Sequence, residues 1–377
     1  MRVAFDVSIL GRPRPTGTER AATTLIDAIL ATDEDLELHL LAPDTSPFSG
    51  DFGARHAWRD DPRVVVAAGL GAAGTGGRPW LWRESTVPGL LRQAGCSVWH
   101  APVVALPLRT GCRCIATVHE IPWAHRIRGG DKRLAHRVRM GLAATRAWRL
   151  LCVSQRTADD LVRLHAAAAD RVVVVPHGVD PVFTDTPTVH APGSGERPRV
   201  LVVGRQRRKK NLARVLEALG DPALGEAELI LAGPEGGASA ELRRRAEDLE
   251  RQAGRPRVRF IGHVTDEELV AHYDEAAVVV FPSLLEGFGL PVVEAMARGT
   301  PVLVAEQGAV DEAVGDAAGG FDGGDVSSLV AALRGVLEDP ARATQLADAG
   351  RRHAAGCRAD RAARAVLDLW RVAADES

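Results

Sequence analysis

At 377 residues the chain is longer than one hydrophobic core usually supports, so two domains are expected. Its 46% apolar and 25% charged residues are those of an ordinary soluble globular protein, and a formal net charge of -2 gives no overall pull toward nucleic acid or membrane. Cys96, Cys112, Cys114, Cys152 and Cys357 show no C-x-x-C spacing, no apolar run nears the ~20 residues of a membrane span, and MRVAFDVSIL carries Asp6 but no cleavage site. A zinc cage, a disulfide framework and a secretion signal are therefore unsupported, and a reduced, cytoplasmic setting is expected.

In chain order, short β-branched runs recur, each followed by an amphipathic segment. RVAFDV precedes ERAATTLIDAIL, CIATVHE comes next, RLLCVS precedes RTADDLVRLH, and RVVVVPHGVD follows. Such alternation predicts strand-helix units and a parallel sheet covered on both faces. After Phe183, TDTPTVHAPGSGERP has no apolar period and reads as a linker. The pattern restarts with RVLVVG and runs through NLARVLEAL, ELILAG, ELRRRAEDLERQ, VRFIGHV, DEELVAHYDEA, AVVVFPS, LPVVEAMARG and TPVLVA. A helical tail contains LVAALRGVL and RAARAVLDLWRVA. The expected fold is α/β, with two doubly wound Rossmann-like domains facing across a cleft. They would span 1–183 and 199–355, joined by a linker and hinge over 184–198, with a helix over 356–377 packing back toward the N-terminal domain.

Three short patterns invite a functional reading and do not carry one. GLGAAG, residues 69–74, satisfies G-x-G-x-x-G, but TGGRPW follows it where a dinucleotide fingerprint must open a helix, so a loop is expected. The D-x-D of Asp33 to Asp35 lies between a helix pattern and LELHLLAP, the ordinary place for a solvated charged turn. Cys112 and Cys114, two residues apart, would share one strand face and belong to the core.

The chemistry gathers in FPSLLEGFGLPVVEAMARGTPVLV. AVVVFPS reads as a buried strand, Gly287 and Gly289 permit a tight turn, and Pro291 suits the first position of a helix through VVEAMA. The first turn of that helix has amides without helical partners and a partial positive charge, which together hold an anion, phosphate above all. Glu286, in the loop, and Glu294, in the helix, would bracket that anion. Carboxylates accept hydrogen bonds from vicinal hydroxyls, so the ligand expected is a diphosphate with hydroxyl-bearing rings at both ends, the shape of a nucleotide sugar. A second signal is VLVVGRQRRKKNLARVLEAL, where a strand ends at Gly204 and Arg205, Arg207, Arg208, Lys209 and Lys210 precede Asn211. Arg205 and Lys210 are read as neutralising phosphate, and Arg207 and Arg208 as solvated loop charges.

Together, EGFGLPVVEA, VGRQRRKKN, ILAGPEGG, VRFIGHVTDEELVAHY and VVVPHGVD resemble the retaining glycosyltransferases of family 4, the group 1 glycosyl transferases with the GT-B fold. In the N-terminal half, TVHE, LLCVSQRTADDL and PTGTER extend the resemblance over nearly the whole chain. It implies an acceptor-binding N-terminal domain and a nucleotide-sugar-binding C-terminal one. It also implies that Glu294 holds the ribose hydroxyls, that Glu286 binds donor-sugar hydroxyls near the reacting carbon, and that the amides of Phe288, Gly289 and Leu290 hold phosphate. Arg205 and Lys210 would stabilise the departing diphosphate, and Gly17 would let the first N-terminal loop approach it. Gly204 and Val264 complete the implied donor contacts. His119 of TVHE matches the family's histidine beside the donor sugar, with Glu120 where Asp is usual.

Breaking the bond to a diphosphate builds positive charge on the sugar and negative charge on the phosphates, which preorganised cations and helix amides stabilise. The expected catalytic set is His119, Glu286, Arg205 and Lys210, with no metal and no cofactor beyond the nucleotide-diphosphate sugar as co-substrate. The expected reaction moves a hexosyl unit from a UDP- or GDP-sugar to a hydroxyl acceptor, sugar-containing or other, with retention. A front-face path is favoured over a covalent Glu286 intermediate, with domain closure about the linker to exclude water. Other roles stay open: Trp80, Trp82, Trp99 and Trp123 as a sugar platform or as packing, His263 near the base or simply exposed, and His177 as a structural turn residue.

Residues 126–149 carry Arg126, Arg128, Lys132, Arg133, Arg137, Arg139, Arg146 and Arg149 against Asp131 alone. This segment fits an anionic membrane surface at the inner face of the membrane, an anionic soluble acceptor, or a solvated helix face. The alternatives to a soluble transferase are a peripheral membrane glycosyltransferase acting on a lipid-linked acceptor, a GT-B epimerase, and a non-catalytic nucleotide-sugar binder. No nucleic-acid motif is present, so nucleic acid is not an expected partner.

Overall fold

The computed structural model describes residues 1–10, 16–44, 56, 58–68, 79–125, 133–185, 197–306, 310 and 314–376. Three features of the sequence therefore lie wholly or partly outside the described residues: the glycine pattern at 69–74, the first part of the basic segment at 126–132, and 186–196 of the expected linker. The chain divides into two compact units, Met1–Gly178 with Ala359–Ser377, and Val179–Arg358.

In the first unit, valine-, leucine- and isoleucine-rich runs form β1 (Arg2–Asp6), β2 (Glu37–Leu41), β3 (Val64–Ala67), β4 (Val98–Ala101), β5 (Arg113–Val118), β6 (Arg149–Cys152) and β7 (Val172–Val174). Their order is β3-β2-β1-β4-β5-β6-β7, and every pair is parallel. Strands covered on both faces need apolar side chains on both, which is why Val3, Ala4 and Phe5 are consecutive and all buried. Thr16 and Glu19 form a capping box that starts the helix Gly17–Thr32. That helix packs against the last one, Ala359–Asp375, whose Val366, Leu367 and Trp370 join the same core as Phe5, Ile26 and Ile29. Phe5 and Trp370 meet edge to face, with ring centroids 6.3 Å apart.

The second unit holds β8 (Arg199–Val203), β9 (Glu228–Ala232), β10 (Val258–Gly262), β11 (Val278–Phe281), β12 (Val302–Ala305) and β13 (Gly319–Phe321), again all parallel, in the order β10-β9-β8-β11-β12-β13. Strand order reverses between β8 and β11, the switch point beyond whose carboxyl ends ligands bind in open α/β sheets. Inside this unit Arg298 and Asp274 form a buried two-pronged ion pair, 2.8 Å on each arm.

The junction falls elsewhere than at 184–198. The chain leaves the first unit after Gly178 and returns at Ala359. The two crossing segments lie side by side, with a bridge between Val179 and Arg358 and Val179 N–H donating to the Cys357 carbonyl at 2.8 Å. Residues just beyond the crossing already belong to the second core: Phe183 is fully buried and lies edge-on to Tyr273. The Pro-, Gly- and Ser-rich stretch thus falls, in chain order, within the second unit. Weak apolar period marks a loop without saying which elements it joins, and this misplaced the boundary.

Candidate active site

In the second unit the two motif-bearing loops leave neighbouring strands. After β8 the chain turns at Gly204, whose φ of 145° favours glycine, and makes a short turn over Arg208–Lys210. Asn211 then adopts a left-handed conformation, φ 52°, while its side-chain amide donates to the Gly323 carbonyl at 2.9 Å. This turn doubles Lys210 back over the strand end, so that a Cβ on Gly204 would sit 3.3 Å from the lysine's Cε. Two further close approaches hold the loop down: a Cβ on Gly233 would meet the Gly204 carbonyl oxygen at 2.3 Å, and one on Gly236 the Gln206 carbonyl oxygen at 2.4 Å.

Lys210 Nζ stands 2.8 Å from Glu286 Oε1 and 5.0 Å above the ring of Phe281, the last residue of β11. Lys209 Nζ is 4.0 Å from the same carboxylate oxygen, and Leu284 N–H donates to the Lys209 carbonyl at 3.0 Å, tying the loops together. Burial pushes the Glu286 carboxyl upward, but the charges of Lys210 and Lys209 beside it outweigh that and hold the group below the usual carboxylate range. Glu286 is therefore an anion at neutral pH. The sugar-side carboxylate and the phosphate-side cation expected from the sequence are one ion pair.

From Glu286 the chain runs to Gly289, φ 90°, which caps the helix Leu290–Arg298. The helix begins one residue before Pro291, so the proline occupies its second position, where a missing N–H still costs nothing. Phe288, Gly289 and Leu290 form its amino end, as expected. Glu294 is only 2% exposed, and Tyr273 Oη donates to its Oε2 at 2.9 Å. At the fifth helical position its side chain points to the helix Asp266–Glu275, and fully buried Tyr273 receives it. Arg205 is partly exposed at the carboxyl end of β8. Val264 is partly exposed in the turn after β10, the edge strand, two positions from β8, and His263 beside it is exposed.

Gly17 and His119 belong to the first unit. A Cβ on Gly17 would meet nothing within 4 Å there. His119 follows β5, and its Nε2 lies 2.7 Å from the Pro102 carbonyl oxygen, just past β4, while its Nδ1 is 3.1 Å from Nε2 of His177, just past β7. The two imidazoles stack with centroids 5.1 Å apart. Burial lowers the His119 pKa, against opposing pulls from the Pro102 carbonyl and Glu120. His177 is lowered well below the usual value by burial and then by His119. Below this pair His100 Nε2 lies 3.0 Å from Thr117 Oγ1, and Trp370 Nε1 donates to His100 Nδ1 at 3.1 Å. Of the tryptophans weighed as a platform, Trp82 and Trp99 are fully buried against each other, Trp123 packs edge-on to His136, and Trp80 is exposed. Asp33 accepts from Arg371 at 2.9 Å, tying the D-x-D turn to the last helix.

Sequence reasoning missed Tyr273, which reads as an apolar helix position, and gave His177 no contact with His119. Residues 190–353 match the family described as glycosyl transferases group 1, and residues 15–183 match glycosyltransferase family 4.

The chain belongs to the group 1 glycosyl transferases.

Among family members, it is 32% identical over 254 residues to a D-inositol 3-phosphate glycosyltransferase of Salinispora tropica, over 60% of this chain and 52% of that one. A protein of the same description from Xylanimonas cellulosilytica is 34% identical over 239 residues, 59% and 56% of the two chains. The O-antigen chain mannosyltransferase B of Escherichia coli is 29% identical over 259 residues, 64% and 65%. The chain spans little more than half the length of the first two. Among solved structures, sucrose-phosphate synthase of Thermosynechococcus elongatus superposes with a TM-score of 0.78 at 20% identity over all of both chains. Anabaena HepE, in complex with UDP and glucose, does so with 0.73 at 20% identity over 98% and 99%. At that identity these two show the fold, that of the GT-B glycosyltransferases of the family.

Proposed function

We propose that the protein is a retaining, metal-independent glycosyltransferase that moves a hexosyl unit from a nucleotide-diphosphate sugar, UDP- or GDP-linked, to a hydroxyl acceptor. The observation that carries this reading is the Lys210–Glu286 pair at 2.8 Å, beside the amino end of the helix Leu290–Arg298 and at the carboxyl ends of neighbouring β8 and β11. An acceptor of hydroxyls and a donor to phosphate sit side by side there, as a sugar joined to a diphosphate requires.

In this mechanism the amides of Phe288, Gly289 and Leu290 hold phosphate, and Lys210 and Arg205 balance the charge that accumulates as the diphosphate leaves. The two cations and the helix end supply the stabilisation a divalent metal gives other transferases. Glu286, kept anionic by its lysines, orients donor-sugar hydroxyls and favours the positive charge growing on the ring. The departing phosphate takes the acceptor's proton as the new bond forms on the same face, so no enzyme nucleophile is needed. Glu294, fixed by Tyr273, takes the ribose hydroxyls. The parts of Gly17, Val264 and His119 rest on the family resemblance. UDP and glucose in HepE support a UDP-sugar as the first donor to test, and the relatives' names support a phosphorylated polyol or a sugar as acceptor.

A thermal-shift panel of UDP-, GDP-, ADP- and dTDP-sugars tests the reading, since a ligand at a hundred times its Kd adds ~2.7 kcal/mol to stability. No shift with any donor would sink it. A shift without transfer to any acceptor, or with epimerised donor recovered, would leave a binder or an epimerase in its place.

One observation favours a peripheral membrane setting for the acceptor. The helix Arg133–Arg146 presents Leu134, Val138 and Leu142 at a spacing of four, 74%, 53% and 38% exposed, with exposed Arg137, Arg139 and Arg146 on the same helix. A cationic helix with an outward apolar stripe suits the surface of anionic lipid. No helix among the described residues is long and apolar enough to cross a membrane. Flotation with phosphatidylglycerol vesicles should carry the native chain and lose Leu134→Asp, and equal flotation of both would end this reading.

A further inference from the structure

The histidine pair of the first unit has a polarity that its partners fix. A carbonyl oxygen only accepts, so the 2.7 Å contact with Pro102 requires the proton of His119 to sit on Nε2. In the neutral ring Nδ1 is then bare, and the 3.1 Å contact with His177 closes only if His177 donates from its own Nε2. His177 thereby carries its proton toward His119. A second proton on His119 would face that N–H head-on. The pair accepts one only if His177 first moves its own proton from Nε2 to Nδ1.

We propose that His177 is a positioning residue for the transfer site: its Nε2–H, donated to Nδ1 of His119, bars a second proton there and keeps the ring clamped on the Pro102 carbonyl. The proposal rests on the reading of His119 as the histidine beside the donor sugar. A sugar gaining positive charge as its diphosphate leaves is opposed by a neighbouring imidazolium and unopposed by a neutral imidazole. What His177 supplies is a neutral His119 of fixed orientation.

The surroundings hold the pair in place. Gly178 presses so closely on the last helix that a Cβ there would lie 2.3 Å from the Ala359 Cα, which fixes the backbone beside His177. Thr157 Oγ1 donates to the His119 carbonyl at 3.5 Å. Both rings border a small cavity of about 30 Å³, also lined by Thr18, Pro102 and Thr117, with room for about two waters. The titratable groups acting on the pair are Glu120, whose charge favours a protonated His119, and His100, itself disfavoured by a charged His119. Burial adds to the same preference for two neutral rings.

Histidine-selective 15N labelling of the whole chain, with long-range 1H–15N correlation across pH, reads tautomer and titration directly. In the native protein His119 should show the Nε2–H form and titrate below the ordinary 6.5. In His177→Ala its midpoint should rise toward 6.5. The kcat at pH 7.5 should fall about tenfold, as for other orienting partners of a functional imidazole, with the donor KM within about twofold. His177→Asn, which offers an amide N–H without a titrating ring, should restore kcat to within about threefold. An Nδ1–H form of native His119, or the same midpoint in native and His177→Ala, would overturn the proposal. The first result needs no variant, so it stands if His177→Ala fails to fold. Failure of the transferase reading would look different: no turnover in any form, with the ring signatures intact.

Discussion

The two units carry sheets of the same kind and build their functional ends in different ways. In the second, Arg205, Lys210, Glu286, Phe288, Gly289 and Leu290 come from the loops after two adjacent strands, β8 and β11, each a continuous stretch of sequence. In the first, Pro102, His119 and His177 come from the ends of β4, β5 and β7, residues far apart in the chain that meet through single hydrogen bonds. A site made by two loops leaves a motif. One made by three strand ends leaves isolated residues, each of which reads as ordinary.

That contrast explains what was legible. Alternating β-branched runs and amphipathic segments yielded both parallel sheets, because strands covered on both faces must be apolar throughout. Gly204, Asn211 and Gly289 were visible because the backbone there takes a positive φ that few other residues adopt. Tyr273 was not visible. In DEELVAHYDEA it occupies a core position of an amphipathic helix, and nothing in the spacing says that its hydroxyl meets Glu294. The one available signal was composition, since it is the only tyrosine in the chain. His177 was read as a turn residue because VPHGVD predicts a turn, and a partner 58 residues away has no local signature. The boundary was misread for a related reason: the second unit begins at Val179, inside what looks like the end of the first.

The comparison can be broken by experiment. The largest effect is expected from Lys210→Ala, which removes the partner of Glu286 and the cation proposed to face phosphate. Its kcat should fall roughly 10²- to 10³-fold, the usual loss when one preorganised charge-stabilising group goes. Steady-state kinetics within about threefold of native would show that the motif-bearing loops do not form the charge-stabilising site.

Next, Glu294→Ala should weaken nucleoside diphosphate binding about 10- to 100-fold by titration calorimetry, corresponding to ~1.5–3 kcal/mol for a charged hydrogen bond. An unchanged Kd would remove Glu294 from the ligand and leave it a core residue.

The first unit should also be the acid-sensitive one. Burial, with a smaller contribution from His119, lowers the His100 pKa from 6.5 to about 3. Between those values the unfolded chain holds a proton there that the folded one does not. Stability should therefore fall as pH drops below 6.5, by up to ~1.4 kcal/mol per pH unit from this group. Glu286 runs the other way: its folded pKa is lowered, so its contribution is complete above pH 4.5 and is lost only as pH falls further through the folded value. Urea unfolding at pH 7, 6 and 5 should show the slope, and His100→Gln should flatten it. The same slope in native and variant would contradict a buried neutral His100.

The smallest effect is expected from Tyr273→Phe. Losing one buried hydrogen bond should cost ~1 kcal/mol of stability and raise the nucleotide Kd severalfold with little change in kcat. A drop in kcat equal to that of Lys210→Ala would mean that Tyr273 does more than orient Glu294.

The return of the helix Ala359–Asp375 to the first unit sets a schedule for synthesis. Val366, Leu367 and Trp370 complete a core begun by Val3 and Phe5, so the portion translated first is still missing a wall when the portion translated second is whole. At about 5–20 residues per second the nascent first sheet waits roughly 10–40 s on the ribosome with that wall open. Stalled or truncated chains would therefore expose Phe5, Ile26 and Ile29, and a chaperone that captures apolar surface would find its target in the first unit while the second had already folded.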